Sequence, residues 1–492
     1  MTVALDVLKK CCIGVAIVMS AVCSALEIPE KPNVLFIISD DLNTALSGFG
    51  HAQCKTPELD KLAHRGVKFQ NMHCQYPVCG ASRASIMSGV YPYTNNTMGN
   101  RGTLRGSMPD VVSMSQLFRN NGYYAGRVSK IYHMGIPNEI IAGTAERDDP
   151  YSWDEVVNIT APEHHAPGIK TQWSPKDKGS QTFQGVEADG DDRVHADGMA
   201  AAHAIAFLKR NKERPFFLAL GFVRPHVPLV APKTYFDRYD RHAMNPPQVP
   251  ENDLDDVPQI IRAYKRNSTT YGVTPELHKG LLQAYYASVS YMDAQVGRVL
   301  EALEQEGLKD NTVVVFTSDH GYLLGHHHKF QKQHLFEEAT RVPFIVSVPW
   351  MDTQHGRETR KITELIDLYP TLADLAGLVA PACLQGTSLK PLLIDPASNE
   401  WEKDIAFTVS RSGGESIKTN QWRFTQWGFG EKGMELYNLK EDPCEFTNLA
   451  DKPEYATVMA GMKKRLNDKR NAAGYEDFKR RESERRKKEG RQ

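Results

Sequence analysis

The segment Tyr76-Pro77-Val78-Cys79-Gly80-Ala81-Ser82-Arg83-Ala84-Ser85-Ile86-Met87-Ser88-Gly89 sets a thiol, a hydroxyl and a guanidinium within five positions of one another. Its composition predicts a turn running into a short helix, with Ser82 or Gly80 as the cap and Gly89 closing the far end in a left-handed conformation. A cysteine at such a helix start faces unpaired backbone N–H groups and the positive end of the helix dipole, as would an anion bound there. Arg83 adds a fixed cation whose planar fork suits a tetrahedral oxyanion. The combination fits a nucleophile beside a bound anion. A buried structural thiol next to a surface arginine would leave the same letters.

Other segments carry groups of matching chemistry. Asn33-Val34-Leu35-Phe36-Ile37-Ile38-Ser39-Asp40-Asp41 is a continuous apolar run ended by two carboxylates. It reads as a strand buried on both faces of a largely parallel sheet, with acids at the carboxyl end, where open α/β sheets place ligands. Thr312-Val313-Val314-Val315-Phe316-Thr317-Ser318-Asp319-His320-Gly321 repeats the theme. Two such strands bring carboxylates to one sheet edge, which is what a metal site needs. Gly122 to Val128 reads as a further strand that delivers Lys130 and His133, and Pro215 to Phe222 as another that delivers His226. The run His326-His327-His328 reads as a solvated loop rather than a transition-metal site, and it leads to Lys332.

The Cys-x-Ala/Pro-x-Arg pattern at Cys79–Arg83 resembles the maturation motif of the type I sulfatases, and the wider segment is most similar to their iduronate-2-sulfatase branch. Ala81 departs from the commoner proline. The resemblance runs from Asn33 to about Ala450, where Glu435-Leu436-Tyr437-Asn438-Leu439 and Asn448-Leu449-Ala450 are similar to the closing segment. It implies an α/β fold: an alkaline-phosphatase-like large domain with a mixed, mostly parallel sheet between helices, plus a smaller C-terminal domain with an antiparallel sheet. It also implies that Cys79 is converted to formylglycine by a formylglycine-generating or sulfatase-maturing enzyme. A thiol that attacked a sulfate ester would be left holding the sulfuryl group. A hydrated aldehyde has one hydroxyl to attack sulfur and a second whose deprotonation expels sulfate.

Carried over residue by residue, Asp40, Asp41, Asp319 and His320, with an oxygen of the modified Cys79, would hold one divalent cation. The resemblance implies Ca2+, and three carboxylates suit a hard ion. Arg83, Lys130 and Lys332 would neutralise sulfuryl charge. Asp319 would take the attacking proton, His133 would act as base in the elimination, and His226 would protonate the leaving alcohol. The expected substrate is a sulfated saccharide, foremost a 2-O-sulfated uronate. The rivals are a phosphonate or phosphate diester hydrolase of the same fold and a calcium-dependent binder of sulfated polysaccharide that lacks catalysis.

The chain has 492 residues, too many for one ordinary core, and is 41% hydrophobic and 24% charged. A formal net charge of −1 makes no bulk argument for nucleic acid or a membrane surface. Lys9-Lys10, the apolar run Ile13 to Met19 and Cys23-Ser24-Ala25 read as a secretory signal, and no later stretch would span a bilayer. The protein is therefore expected to be secreted or periplasmic, or lysosomal if eukaryotic. Expected divisions are the signal over 1–25, a catalytic domain over 26–380, a C-terminal domain over 381–478 and a solvated basic tail over 479–492. Beyond the signal remain Cys54, Cys74, Cys79, Cys383 and Cys444. The sequence-local pairings are Cys54 with Cys74 and Cys383 with Cys444, with free buried thiols the alternative. Residues 136–196 and 236–274 read as long loops, Leu277–Gln305 and Glu364–Ala376 as helices, and Tyr455–Arg470 as the last helix.

Overall fold

Leu35 and Ile37 point into one hydrophobic core while Val34, Phe36 and Ile38 point into another. That is the period of two expected of a strand, here Asn33–Ser39, covered on both faces. Phe216–Gly221 and Thr312–Ser318 flank it in parallel and divide their side chains in the same way. Burying each large apolar side chain contributes about 1.5–3 kcal/mol, so these central strands are firm anchors for whatever leaves their ends.

The computed structural model describes residues 29–177, 182–264, 266–354, 356–411 and 413–489. The expected signal, with Cys11, Cys12 and Cys23, and the last residues of the tail lie outside the described residues. The main sheet has nine strands, ordered Arg357–Thr359, Val67–His73, Arg341–Ser347, Thr312–Ser318, Asn33–Ser39, Phe216–Gly221, Tyr124–Ser129 and Glu155–Val157, with Thr363–Glu364 also paired to Val67–His73. Arg341–Ser347 runs against its two neighbours; the other described pairings are parallel. Helices Pro57–His64, Ala196–Asn211 and Pro275–Gln305 cover one face, and Cys79–Ser88, Met114–Asn120 and Leu368–Leu375 the other. The fold is thus α/β and alkaline-phosphatase-like. Among the described residues no helix is long and apolar enough to cross a membrane.

A four-stranded antiparallel sheet follows: Ala406–Val409, Gly414–Lys418, Trp422–Trp427 and Met434–Asn438. Phe407, Ile417, Phe424 and Leu436 from this sheet, with Met462 and Leu466 from the helix Ala456–Ala472, share a core with Tyr76, Val78 and Ala81. The C-terminal sheet therefore buttresses the segment that carries Cys79.

Several local expectations are corrected. The polar stretch 136–196 is not simply a loop. Glu155–Val157 joins the main sheet, and Gly168–Gln172, Gln184–Ala188 and Leu229–Pro232 form a separate three-stranded sheet. Gly168–Gln172 is largely exposed, which is why its apolar alternation is faint. The region Glu364–Ala376 begins as the strand Thr363–Glu364 and a 3-10 turn, and becomes α-helix only at Leu368–Leu375. Reciprocal bonds between Glu364 and Asp367 fix that turn. The basic tail is helical over Tyr475–Glu489, because Tyr475 and Phe478 pack on Tyr93 and Arg481 donates to the Tyr93 carbonyl at 2.6 Å. The histidine run is not a solvated loop either. His327 is buried, with Nδ1 3.1 Å from Asp253 Oδ2 and its ring stacked 3.7 Å from that of Phe336. All five described cysteines are free. Cys54 and Cys74 belong to different cores on opposite faces of the sheet, so they cannot pair.

Candidate active site

Asp40 and Asp41 follow Asn33–Ser39, Asp319 and His320 follow Thr312–Ser318, and Lys130 follows Tyr124–Ser129. His226 lies just beyond Phe216–Gly221, and Cys79 just beyond Val67–His73. All five strands point the same way, so all these side chains gather at one sheet edge.

Cys79 is the first residue of the helix Cys79–Ser88, and Val78, in extended conformation, precedes it as a cap without a side-chain bond. Neither Ser82 nor Gly80 caps. Asn100 Oδ1 instead accepts from the Gly80 amide at 2.8 Å, and the Ser82 hydroxyl donates to the Asp319 carbonyl. Position 80 needs glycine: a Cβ there would sit 2.4 Å from the Gly99 carbonyl oxygen. Gly89 does end the helix in the left-handed region, at φ 68°.

One ligand atom from each of Asp40, Asp41, Cys79 and His320 can be chosen so that all lie within 4.8 Å of one another. Asp40 Oδ1 and Asp41 Oδ2 are buried without a hydrogen-bond partner. His320 Nδ1 donates to the Gly321 carbonyl at 2.9 Å, which leaves Nε2 3.4 Å from both Cys79 Sγ and Asp41 Oδ1. Asp41 sits at φ 62°, a left-handed conformation that aspartate tolerates, and its carbonyl accepts from the Tyr285 hydroxyl at 2.8 Å. Asp40 Oδ1 also lies 3.4 Å from Arg83 Nη2, and buried carboxylate oxygens without a hydrogen bond beside an imidazole nitrogen fit a divalent cation. Asp319 stands one step out. Its Oδ1 accepts from the amides of His320 at 3.0 Å and Asp41 at 3.3 Å, and lies 3.8 Å from His320 Nε2.

Cations surround this cluster. Lys332 Nζ lies 2.6 Å from Asp41 Oδ1 and 3.2 Å from Cys79 Sγ, and Lys130 Nζ donates to Asp40 Oδ2. Arg83 is fully buried, and its guanidinium is spent inside the protein. Nε donates to Asp319 Oδ2 at 2.8 Å, Nη1 to the Lys130 and Ile131 carbonyls at 2.6 and 3.0 Å, and Nη2 to the Ser39 carbonyl at 3.2 Å. His226 Nδ1 bonds the Val227 carbonyl at 2.6 Å, turning Nε2 toward Asp41 Oδ2 at 3.7 Å. His133 hydrogen-bonds Cys79, and its Nδ1 is buried without a partner.

Electrostatics follow from this crowding. Burial would push the Cys79 thiol up, but Lys130, Lys332 and His320 outweigh it and hold the thiol well below its ordinary range. Burial, reinforced by Asp40 and Cys79, raises Asp319 to about 7 despite Arg83 and His320. Burial would lower His320, yet Asp319 and Cys79 lift it to about 9. Burial lowers His133.

Three supports had no legible signal. Asn100 lies in a weakly patterned loop. Asp197 accepts the Val223 and Arg224 amides at 2.7 and 3.0 Å, and the Arg224 guanidinium grips Glu163 at 2.6 and 2.7 Å. Together these fix the turn that carries His226. An i-to-j contact across a fold leaves no periodicity to read.

The Sulfatase family model matches residues 32–378, and a second model, N-sulphoglucosamine sulphohydrolase, C-terminal, matches 325–472. The chain belongs to the sulfatase family. This sulfatase is 32% identical to iduronate 2-sulfatase of Mus musculus, over 91% of this chain and 97% of that protein. It is equally 32% identical to a protein named Sulfatase from Formosa agariphila, over 88% of this chain and 86% of the relative. Among solved structures, a phosphonate monoester hydrolase of Agrobacterium radiobacter superposes with a TM-score of 0.75 at 24% identity, covering 90% of this chain and 96% of the other. A 2-O GAG sulfatase superposes with a TM-score of 0.69 at 25% identity, covering 90% and 92%. The protein is a sulfuric ester hydrolase.

Proposed function

We propose that this sulfatase removes sulfate from a sulfated carbohydrate, foremost a 2-O-sulfated uronate, with Cys79 matured to formylglycine and one calcium ion at Asp40, Asp41, Cys79 and His320, adjoined by Asp319. The observation that carries the reading is the meeting of Cys79 with two bare carboxylate oxygens and two lysine ammoniums at one sheet edge. The 32% identity to iduronate 2-sulfatases, and the structural likeness to a 2-O GAG sulfatase, support the uronate. A secreted or periplasmic location, a maturing enzyme as partner, and a catalytic domain followed by a C-terminal one belong to the same reading.

Formylglycine, as its hydrate, supplies one hydroxyl for attack and another for release of sulfate. The cation supplies polarisation of a sulfate oxygen. The chain's own groups do the rest. Lys332 and Lys130 offer ammonium groups to sulfuryl oxygens, where fixed charge in a dry site is most effective. Arg83, with its donors already used, aligns Asp319 and the 130–131 backbone and does not itself meet the sulfate. Asp319, whose Oδ1 is held by the amides of His320 and Asp41 at the edge of the site, is placed to accept the attacking proton. His133, lowered by burial and carrying a bare nitrogen, suits the base of the release step. His226, with Nδ1 tied to Val227, holds Nε2 for donation to the leaving oxygen.

The test is turnover by matured, calcium-loaded protein of a disaccharide bearing 2-O-sulfated iduronate, of nitrophenyl sulfate and of an aryl phosphonate. Sulfate release at the highest kcat/KM from the disaccharide is expected. Preference for the phosphonate would make it a phosphonate hydrolase, and binding of sulfated saccharide without turnover of any ester would make it a binder.

A further inference from the structure

A cavity of about 390 Å³ lies between the C-terminal sheet and residues 260–264, outside the constellation described above. Such a volume is in the range of small-ligand sites. Tyr264, Phe336, Trp427 and Tyr437 contribute aromatic surface to it. Its polar features are selective. His334 is only 4% exposed, and its Nε2 has no hydrogen-bond partner. Burial and the nearby cation of Arg266 hold that imidazole well below its usual range, so it is neutral, and its remaining ring nitrogen bonds the Phe330 backbone. Arg411 lines the same cavity, is exposed, and forms no ion pair with the described residues. Its charge is felt by Tyr76 on one side and Tyr264 on the other.

The cavity is tied to the reacting centre. Gln333 and Arg411 line both it and a second hollow bounded by Val78 and Asn100. Gln333 directly follows Lys332, whose ammonium lies 3.2 Å from Cys79 Sγ. The Gln333 amide donates to the Pro77 carbonyl at 3.1 Å, and its side chain accepts from the Tyr264 hydroxyl at 2.6 Å. One lysine side chain therefore separates the cavity wall from the nucleophile.

We propose that this cavity is a second saccharide subsite, which takes the sugar residue next to the one that loses sulfate and selects an anionic neighbour through Arg411. Aromatic faces stack on the apolar face of a sugar ring, and the Arg411 fork pairs with a carboxylate or sulfate. The inference rests on the saccharide reading of the active site and assigns specificity to a residue outside it. Arg411 is thus a binding residue, and its loss should act on KM and leave the chemistry intact.

The experiment compares Arg411→Ala and Arg411→Lys with the unaltered enzyme on nitrophenyl sulfate, on a sulfated monosaccharide, and on sulfated disaccharides with an anionic or a neutral neighbouring residue. For Arg411→Ala, a ten- to hundred-fold loss of kcat/KM is expected on the anionic disaccharide alone, carried by KM. Arg411→Lys should recover part of it. Because Arg411 is exposed, the variants should fold, and unchanged nitrophenyl sulfate turnover checks this. Equal losses on all substrates, or none on the anionic disaccharide, would overturn the subsite. An unaltered enzyme that turns over nitrophenyl sulfate but no saccharide would instead overturn the reading on which it rests.

Discussion

The ammonium of Lys332 stands 3.2 Å from the sulfur of Cys79, across 253 positions of sequence. The contact places a full positive charge beside the position where maturation would replace sulfur with the hydrate's oxygens, and it also anchors Asp41 at 2.6 Å. Lys332→Met keeps most of the volume and removes the charge. Activity on any sulfate ester should fall about 100- to 1,000-fold, the scale of losing one preorganised donor. Steady-state rates on nitrophenyl sulfate check this, and a loss under threefold would remove Lys332 from the reaction.

Removal of divalent ions should cost activity and thermal stability together, because Asp40 Oδ1 and Asp41 Oδ2 make no hydrogen bond within the protein and meet only the longer contacts of Arg83 at 3.4 Å and His226 at 3.7 Å. An ion at a hundred times its Kd stabilises the folded state by about 2.7 kcal/mol. Thermal melts before and after chelation, and after calcium is returned, measure it. Asp41→Ala should melt at one temperature in all three conditions. An unaltered protein that behaves in the same way would contradict the metal site.

Cys79 should be formylglycine in active preparations. Mass spectrometry of the peptide that contains it should find an aldehyde, trappable by hydrazide. Full activity with only thiol at that position would sink the mechanism.

His226 is tested through the leaving group. A sugar alkoxide needs a proton as the S–O bond breaks, whereas nitrophenolate does not. His226→Ala should lose about a hundred- to ten-thousand-fold on a sugar sulfate and far less on nitrophenyl sulfate. Parallel losses on both would mean that His226 binds sulfate.

Glu435 gives a pH signature of stability. Burial raises it to about 7, although Trp427 and Tyr437 donate to it at 2.7 and 2.8 Å. The folded pKa lies above the unfolded one, so the folded state holds the proton more tightly. That contribution is full below the unfolded pKa and is lost as pH rises through 7, at up to about 1.4 kcal/mol per pH unit. Unfolding in denaturant at pH 5 and pH 7.5 should show the unaltered protein losing more stability than Glu435→Gln. An equal loss in both would refute the shift.

The residues that carry chemistry were legible because strands buried on both faces announce themselves: Val34 to Ile38 and Val313 to Phe316 are apolar without a break, and the acids come where the runs stop. Convergence followed from parallel topology, so Asp40 and Asp41 could be brought to the sheet edge that carries Asp319, whereas His320 came as a ligand only with the family resemblance. The role of Arg83 was not legible, since a letter shows a cation but not where its five N–H groups are spent. The Gly168–Gln172 strand escaped notice because exposure erased its alternation, and Gln184–Ala188 because Val186 is its one large apolar residue. His327 was misjudged because its partner, Asp253, lies 74 positions away.

All ten residues of the helix Cys79–Ser88 are buried. If Cys79 is matured as proposed, burial of that kind turns maturation into a race. On the proposed maturation, the modifying enzyme would have to reach Cys79 before the C-terminal sheet closes over Tyr76, Val78 and Ala81. Those contacts come from residues 406–466, within the last fifth of the 492 residues, so on that reading the window would stay open through most of synthesis and shut once. On the same reading, a chain that folded ahead of its modifier would keep a buried thiol at Cys79 and never gain the hydrate nucleophile.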